Sequence, residues 1–279
     1  MEIIDGKEVS KKIREELKAE AEDLKQQGIN PKLAVILVGQ DPASKIYVNL
    51  KSKACNEVGV EYEEFLLSEE IQMEELLNLI ESLNKRKDIH GILLQSPIPK
   101  QLDELLAFRT VLPEKDVDGF NPINVGKLSM GQDCFISCTP FGVIKLLEHY
   151  NIELEGKDVV IVGRSNIVGK PMAQLILDKN ATVTICHRKT KNLVSHTKNA
   201  DVVITAVGKP NLITKEHIKK GAVVIDVGIN KLETGEVVGD VDFESVKDIA
   251  SYITPVPGGV GPMTITMLMY NVIKSAKNK

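Results

Sequence analysis

The sequence predicts an α/β protein with two α/β domains flanking a cleft, the second a Rossmann-type parallel-sheet dinucleotide-binding domain. Three observations predict it. Short apolar runs alternate with stretches of helical periodicity, as parallel βαβ units require. The runs fall into two series, separated by an irregular, proline-flanked segment after Leu94. One run, Val159-Val160-Ile161-Val162, passes through a glycine turn, Gly163 to Gly169, into an amphipathic stretch with Met172, Leu175 and Ile176.

Composition narrows the function classes. The 279 residues are 43% hydrophobic and 27% charged, ordinary values for a soluble globular chain with ample core. Net charge is −4 and no stretch clusters Lys and Arg with aromatics, which argues against nucleic acid as a partner. The N-terminus lacks the apolar core of a signal peptide. No apolar run approaches the roughly 20 residues of a membrane span, so no membrane partner is expected and the cytoplasm is the expected location. Cys55, Cys134, Cys138 and Cys186 match no zinc-ligand spacing; reduced thiols and no metal site are expected.

In chain order, Val9, Ile13, Leu17, Ala21 and Leu24 recur at helical steps from Glu8 to Gln27 and stop at Gly28. Leu33–Val38 is apolar throughout and reads as a buried strand. Asp41-Pro42 then opens a helix that Gly59 closes. Val60 to Leu67 reads as a strand, Ser68 to Lys87 as a long helix and Ile89 to Leu94 as a third strand. After a short helix and the turn Pro113–Gly119, residues 121–133 read as connector. Thr139 is the expected cap of a helix reaching Tyr150, with Pro140 in its first turn. The second series has strands at Val159–Val162, Thr182–Cys186, Val202–Ala206 and Val223–Asp226. A glycine-rich loop, Tyr252 to Met263, leads to a last helix from Thr264 to Lys277.

The chemistry-bearing residues follow from these placements. A helix opening past a buried parallel strand aims amide donors and partial positive charge at one point, where phosphate sits. A dinucleotide fold also places a ribose-facing residue at the end of its second strand. Here that position reads His187-Arg188-Lys189, without an acid, and Arg164 adds charge from the glycine turn. Guanidinium groups suit a 2′-phosphate, so NADP is favoured over NAD; a solvated surface run is the plain alternative. In the first series Tyr47, Lys51 and Cys55 share one helix face, and no helical neighbour of Lys51 is charged. Buried in a cleft, Lys51 would be shifted toward acid–base use; on an open face it is an ordinary surface lysine. Gln95 directly follows an apolar strand, where parallel sheets place ligand contacts, and Asp118 lies in a charged turn beside Gly119.

YVNLKSKACNEVGV (Tyr47–Val60), GILLQSPIP (Gly91–Pro99), PEKDVDGF (Pro113–Phe120), VVIVGRSNIVGKPM (Val159–Met172), ADVVITAVGKP (Ala200–Pro210) and YITPVPGGVGPMT (Tyr252–Thr264) occur in that order. Together they resemble the bifunctional methylenetetrahydrofolate dehydrogenase/cyclohydrolase family over essentially the whole chain. The resemblance implies NADP-linked oxidation of 5,10-methylenetetrahydrofolate to 5,10-methenyltetrahydrofolate, then hydrolysis to 10-formyltetrahydrofolate. It implies Lys51 as general acid/base, Tyr47 orienting folate, Gln95 tuning Lys51 and Asp118 anchoring the pterin. Leu94, Ser96 and the backbone of Pro257, Gly258, Gly259, Val260 and Gly261 would also meet folate. Gly163, Arg164, Ser165, Ile167, Arg188 and Ile229 would hold the cofactor. A homodimer through the nucleotide-binding domain is implied. So is a folate-binding domain of residues 1–120 plus the returning helix 262–279, a connector at 121–138, and an NADP-binding domain at 139–255. Ser96, Ser137 and Arg188 stand where leucine, proline and serine are common in the family.

Two other readings stay open at this level. One is a monofunctional or NAD-dependent methylenetetrahydrofolate dehydrogenase, against which Tyr47, Lys51 and Gln95 stand together. The other is a non-catalytic nucleotide-sensing module, which would bind without turnover.

Overall fold

The longest apolar run, Leu33–Val38, becomes a strand buried along its length, and the rest of its sheet is assembled around it. The computed structural model describes residues 1–278. The chain divides into a three-stranded unit, Lys12–Ser137 with the chain from Ile265 onward, and a six-stranded unit, Met1–Lys11 with Cys138–Thr264. The elements begin β1 (Glu2–Ile3), α1 (Gly6–Gln26), β2 (Lys32–Val38), α2 (Pro42–Val58), β3 (Glu61–Leu67), α3 (Met73–Lys85) and β4 (Gly91–Leu94). Next come α4 (Glu104–Thr110), α5 (Pro122–Ser129), α6 (Cys138–His149), β5 (Asp158–Val162), α7 (Gly169–Leu177), β6 (Thr182–Cys186) and α8 (Leu193–Thr197). The chain finishes with β7 (Val202–Thr205), β8 (Val223–Asp226), β9 (Asn230–Lys231), β10 (Val237–Val238), α9 (Phe243–Val246), β11 (Tyr252–Ile253) and α10 (Val260–Lys277).

In the three-stranded unit the order is β3-β2-β4, all parallel. The chain leaves central β2 for β3 on one side and later pairs β4 on the other. That reversal opens a crevice at the carboxyl ends of β2 and β4, the usual ligand position in such sheets. Asp41 caps α2 by accepting from the Ser44 amide at 2.7 Å, and Gly59 ends the helix with its amide on the Cys55 carbonyl at 2.8 Å. Ala34, Ile36 and Val38 of β2 pack with Leu76, Ile80 and Leu83 of α3 and with Ile92 and Leu94 of β4. Each of these buried valine, leucine and isoleucine side chains contributes roughly 2 kcal/mol.

Several boundaries depart from the sequence reading. α3 starts at Met73, because Ser68 instead closes a turn that takes the Glu70 amide on its hydroxyl and buries Ile71. The expected connector contains α5, started by the Asn121 side chain accepting from the Ile123 amide at 2.8 Å. Thr139 lies inside α6 rather than capping it, and its hydroxyl meets that of Thr264 at 3.0 Å.

In the six-stranded unit the order is β1-β11-β8-β7-β5-β6, again all parallel. The order reverses at β5, which pairs β6 on one side and β7 on the other. Residues 1–11 pack with this six-stranded unit. Glu2 and Ile3 pair with Tyr252 and Ile253, and the Asp5 amide donates to the Tyr150 hydroxyl at 2.8 Å. Val160, Val162, Val203, Val224 and Ile253 form the core with Ile213, Ile218, Val241 and Val246. α10 begins at Val260, so Val260 and Gly261 form its first turn instead of a loop. Among the described residues no disulfide forms, and no helix is long and apolar enough to cross a membrane.

Candidate active site

Lys51 and Gln95 meet across the β2–β4 crevice. The Lys51 ammonium donates to Gln95 Oε1 at 2.7 Å. Lys51 is half-buried on α2, and Gln95 is 9% exposed as the first residue past β4. Gln95 is held at both ends: its backbone amide donates to the Ile36 carbonyl at 2.9 Å and Nε2 donates to the Ser96 carbonyl at 2.7 Å. With Nε2 committed to a carbonyl, the acceptor Oε1 faces the lysine. Ser96 donates its hydroxyl to Glu104 Oε1 at 2.7 Å and so ties the segment to α4. Leu94 packs its side chain in the core. Tyr47, one turn before Lys51, is 38% exposed, leaving a ring face for a ligand. Cys55, one turn after, is buried with its thiol pushed up to about 12, first by burial, so it offers no thiolate.

The turn bearing Asp118 runs beside β4, with the Ile92 amide on the Lys115 carbonyl at 2.9 Å. Sequence reasoning missed what holds it. Asp116 is buried and accepts from the amides of Phe120 at 3.1 Å and Asn121 at 2.8 Å, and from Asn124 Nδ2 at 2.8 Å. Burial raises its carboxyl to about 7 against those hydrogen bonds. Lys115, also buried, donates to the carbonyls of Leu83, Asn84 and Arg86 and closes the end of α3. Asn271 of α10 donates to the Val117 and Ile136 carbonyls at 2.8 and 3.0 Å. Asp118 itself is half-buried between these anchors.

In the six-stranded unit Gly163 leaves β5 at φ 138°, where a Cβ would lie 2.4 Å from the Ala206 carbonyl oxygen. A Cβ on Gly169 would lie 2.3 Å from the Gly163 carbonyl oxygen. The turn thus folds against itself and against the end of β7, which accounts for its two glycines and their wide spacing. The opening of α7 differs from the expected bare helix end. Ser165 Oγ accepts from the Val168 and Gly169 amides at 3.1 and 3.3 Å, so the exposed stretch Arg164–Ile167 is what the turn offers a ligand. Arg188 is exposed in a tight turn closed by the Thr190 amide on the His187 carbonyl at 2.7 Å. Because Val162 pairs with Cys186, Arg164 and Arg188 leave neighbouring strands at the same edge. Among the described residues neither makes an ion pair, and two unmatched guanidiniums beside a glycine turn fit a phosphorylated dinucleotide.

Ile229, past β8, is 50% exposed and sits beside Gly261, whose Cβ would lie 3.7 Å from its Cδ1. In the segment Pro257–Gly261 the Gly259 amide donates to the Pro255 carbonyl at 2.9 Å, and Val260 is buried. Two more buried acids went unread in the sequence, Asp226 and Asp240. Their signal is an acid set one or two residues from a glycine at a strand end, as in Asp226-Val227-Gly228 and Gly239-Asp240. Among the described residues no group of three or more His, Cys, Asp or Glu side chains is placed to hold a metal ion.

Two family models match most of the chain. The catalytic domain of tetrahydrofolate dehydrogenase/cyclohydrolase matches residues 4–118, and its NAD(P)-binding domain matches residues 137–279. The bifunctional protein FolD of Lysinibacillus sphaericus is 57% identical over 277 residues, 99% of this chain and 98% of that one. The crystal structure of the bifunctional FolD dehydrogenase/cyclohydrolase of Campylobacter jejuni superposes with a TM-score of 0.99 at 54% identity, covering 100% of this chain and 99% of that one. The Trypanosoma brucei FolD, complexed with NADP and an inhibitor, superposes at 0.95 with 37% identity, covering 99% and 97%. With both domain models matched in order and relatives this similar end to end, the chain belongs to the tetrahydrofolate dehydrogenase/cyclohydrolase family.

Proposed function

We propose that this chain oxidises 5,10-methylenetetrahydrofolate to 5,10-methenyltetrahydrofolate with NADP, then hydrolyses the product to 10-formyltetrahydrofolate. The observation that carries the reading is the 2.7 Å Lys51–Gln95 hydrogen bond at the carboxyl edge of one parallel sheet. The family membership and the glycine turn flanked by Arg164 and Arg188 support the cofactor half.

NADP, when bound, accepts the hydride. Arg164, Ser165, Ile167, Arg188 and Ile229 are the residues that would hold it, with Gly163 allowing close backbone approach. Loss of hydride leaves a cation shared by two folate nitrogens, so the protein's task in this step is orientation. Tyr47 supplies a ring face for the folate and Asp118 a carboxylate for pterin N–H groups. Leu94, Ser96 and Pro257–Gly261 are assigned to further folate contact. In hydrolysis the Lys51 ammonium first gives up a proton to solvent; a water oxygen then bonds to the methenyl carbon and one of the water protons passes to the Lys51 amine. The carbon–N5 bond then breaks as that proton goes from Lys51 to N5, and the remaining hydroxyl proton passes back to Lys51 as the C=O bond forms, leaving the formyl group on N10. Gln95 holds the amine in place for these transfers.

A homodimer belongs to the same proposal. β6 is an edge strand whose residues Thr182, Thr184 and Ile185 are exposed, which supports pairing with a second copy there. A cytoplasmic location is proposed with it.

A coupled assay tests the reading: methylenetetrahydrofolate is supplied with NADP or NAD, and reduced cofactor and methenyl absorbance are followed together. Reduced cofactor with accelerated loss of methenyl absorbance is expected. Absence of turnover, or methenyl decay at the uncatalysed rate, would overturn it.

A further inference from the structure

The loops at the carboxyl edge of the six-stranded sheet are tied together by two buried carboxylates that play no part in the chemistry above. Asp226 ends β8 and Asp240 follows β10, so the two acids bracket the β9–β10 hairpin. Asp226 Oδ1 accepts from the Gly228 amide at 2.9 Å and the Asp240 amide at 3.0 Å, and Oδ2 accepts from the Val241 amide at 2.8 Å. Asp240 is 0% exposed. Its Oδ2 accepts from Thr205 Oγ1 at 3.2 Å and from the amides of Val207 and Gly208 at 2.7 and 3.1 Å. Its Oδ1 accepts from the Lys209 amide at 2.8 Å and Asn230 Nδ2 at 3.0 Å.

Two features make this more than a surplus of hydrogen bonds. The amides of Val207, Gly208 and Lys209 converge in succession, the arrangement that binds anions in phosphate loops, and here the chain's own carboxylate fills it. Glycines admit the acids: a Cβ on Gly228 would lie 2.3 Å from Asp240 Cγ, and one on Gly239 1.8 Å from Asp226 Oδ2. The tied loop also reaches the dinucleotide turn. Ala206, next to Val207, is the residue whose carbonyl abuts Gly163, and Asn230 is next to Ile229.

We propose that Asp240 is a positioning residue for NADP. It fixes the Val207–Lys209 loop and the base of the hairpin carrying Ile229, and it keeps phosphate out of that amide nest. Phosphate recognition is thereby confined to Arg164–Ile167 and Arg188. The proposal rests on the NADP reading above.

The test is Asp240→Asn, which keeps the size but turns one acceptor into a donor facing amides. Three quantities are measured on full-length protein: the NADPH dissociation constant by fluorescence titration, amide hydrogen exchange at Val207–Lys209, and cyclohydrolase activity on preformed methenyltetrahydrofolate without cofactor. NADPH affinity is expected to worsen about tenfold or more, since charged hydrogen bonds are lost, with cyclohydrolase within about twofold of wild type. Exchange at the three amides is expected to quicken. A cyclohydrolase loss parallel to the affinity loss, or unchanged NADPH affinity, overturns the proposal. Should Asp240→Asn fail to fold, Asn230→Ala and Thr205→Val each delete one donor, and both must weaken NADPH binding while sparing cyclohydrolase. A wild-type protein that oxidises no methylenetetrahydrofolate would instead refute the NADP reading itself.

Discussion

The Lys51 ammonium rests on Gln95 Oε1 at 2.7 Å, and Gln95 in turn is fixed by its backbone pairing to Ile36 and by its own side-chain amide on the Ser96 carbonyl. Lysine brings several rotatable bonds to a site, so its use in proton transfer depends on a partner that does not move. A neutral partner suits the task. A carboxylate there would hold the lysine protonated, whereas an amide oxygen directs Nζ without an opposing full charge.

Lys51→Met should therefore separate the two activities. Cyclohydrolase activity is expected to fall by about a hundredfold or more, the typical share of a general base, while hydride transfer largely survives. Stopped assays of each half-reaction on preformed substrates check this. Equal loss of both would mean Lys51 only helps bind folate. Gln95→Leu should lower cyclohydrolase by about tenfold through loss of the charged hydrogen bond.

Gly163→Ala should damage stability and cofactor binding together. At φ 138° an alanine is strained, and its Cβ meets the Ala206 carbonyl oxygen at 2.4 Å. Strain and overpacking add to about 3 kcal/mol. Gly156→Ala is the control: φ is 70° but a Cβ there meets nothing within 4 Å, so about 1 kcal/mol or less is expected. Urea unfolding of the two variants beside wild type gives the comparison, and equal costs would show that the close approach to Ala206 carries no energy.

Much of the site was legible because it depends on local pattern. Gln95 follows an apolar run, Lys51 lies on a face without charged neighbours, and Gly163 follows a β-branched run; each is fixed by spacing along a few residues. What escaped depends on pairing between distant segments. β1 joins β11 through two residue pairs near opposite ends of the chain, and nothing in Glu2-Ile3 names that partner. Asp226 reads only as the last residue of a strand and Asp240 as no site at all, since an acid bound for solvent and one bound for three amides look alike in sequence. Ser68 shows the remaining kind of miss. A hydroxyl that looks like a helix cap closed an earlier turn, and the helix began at Met73.

Asp116 should leave a pH signature on folding. Burial raises its carboxyl to about 7 from an ordinary value of 3.8, so the folded state binds the proton more tightly than the unfolded state does. Its contribution is fully present below about pH 4 and is lost as pH rises through about 7, at up to roughly 1.4 kcal/mol per pH unit. Asp116→Asn cannot titrate. Its stability relative to wild type is expected to improve steadily between about pH 4 and 7, whatever the offset from its altered hydrogen bonds. Urea unfolding across that range decides it, and a constant difference would mean that the three donors on Asp116 outweigh its burial.

Arg188 gives the sharpest test of cofactor choice, because it is exposed at the same edge as Arg164. A guanidinium there gains from the doubly charged 2′-phosphate and gains little from a ribose hydroxyl. Arg188→Ala is expected to raise the NADP KM by about tenfold or more while leaving the NAD KM within about twofold. Arg188→Ser should recover part of the loss through a neutral hydrogen bond. The wild-type NADP KM should also climb with salt more steeply than that of Arg188→Ala, because screening weakens the exposed pair. A variant that loses NADP and NAD equally would place Arg188 in support of the turn's shape and return the choice of cofactor to Arg164 and Ser165.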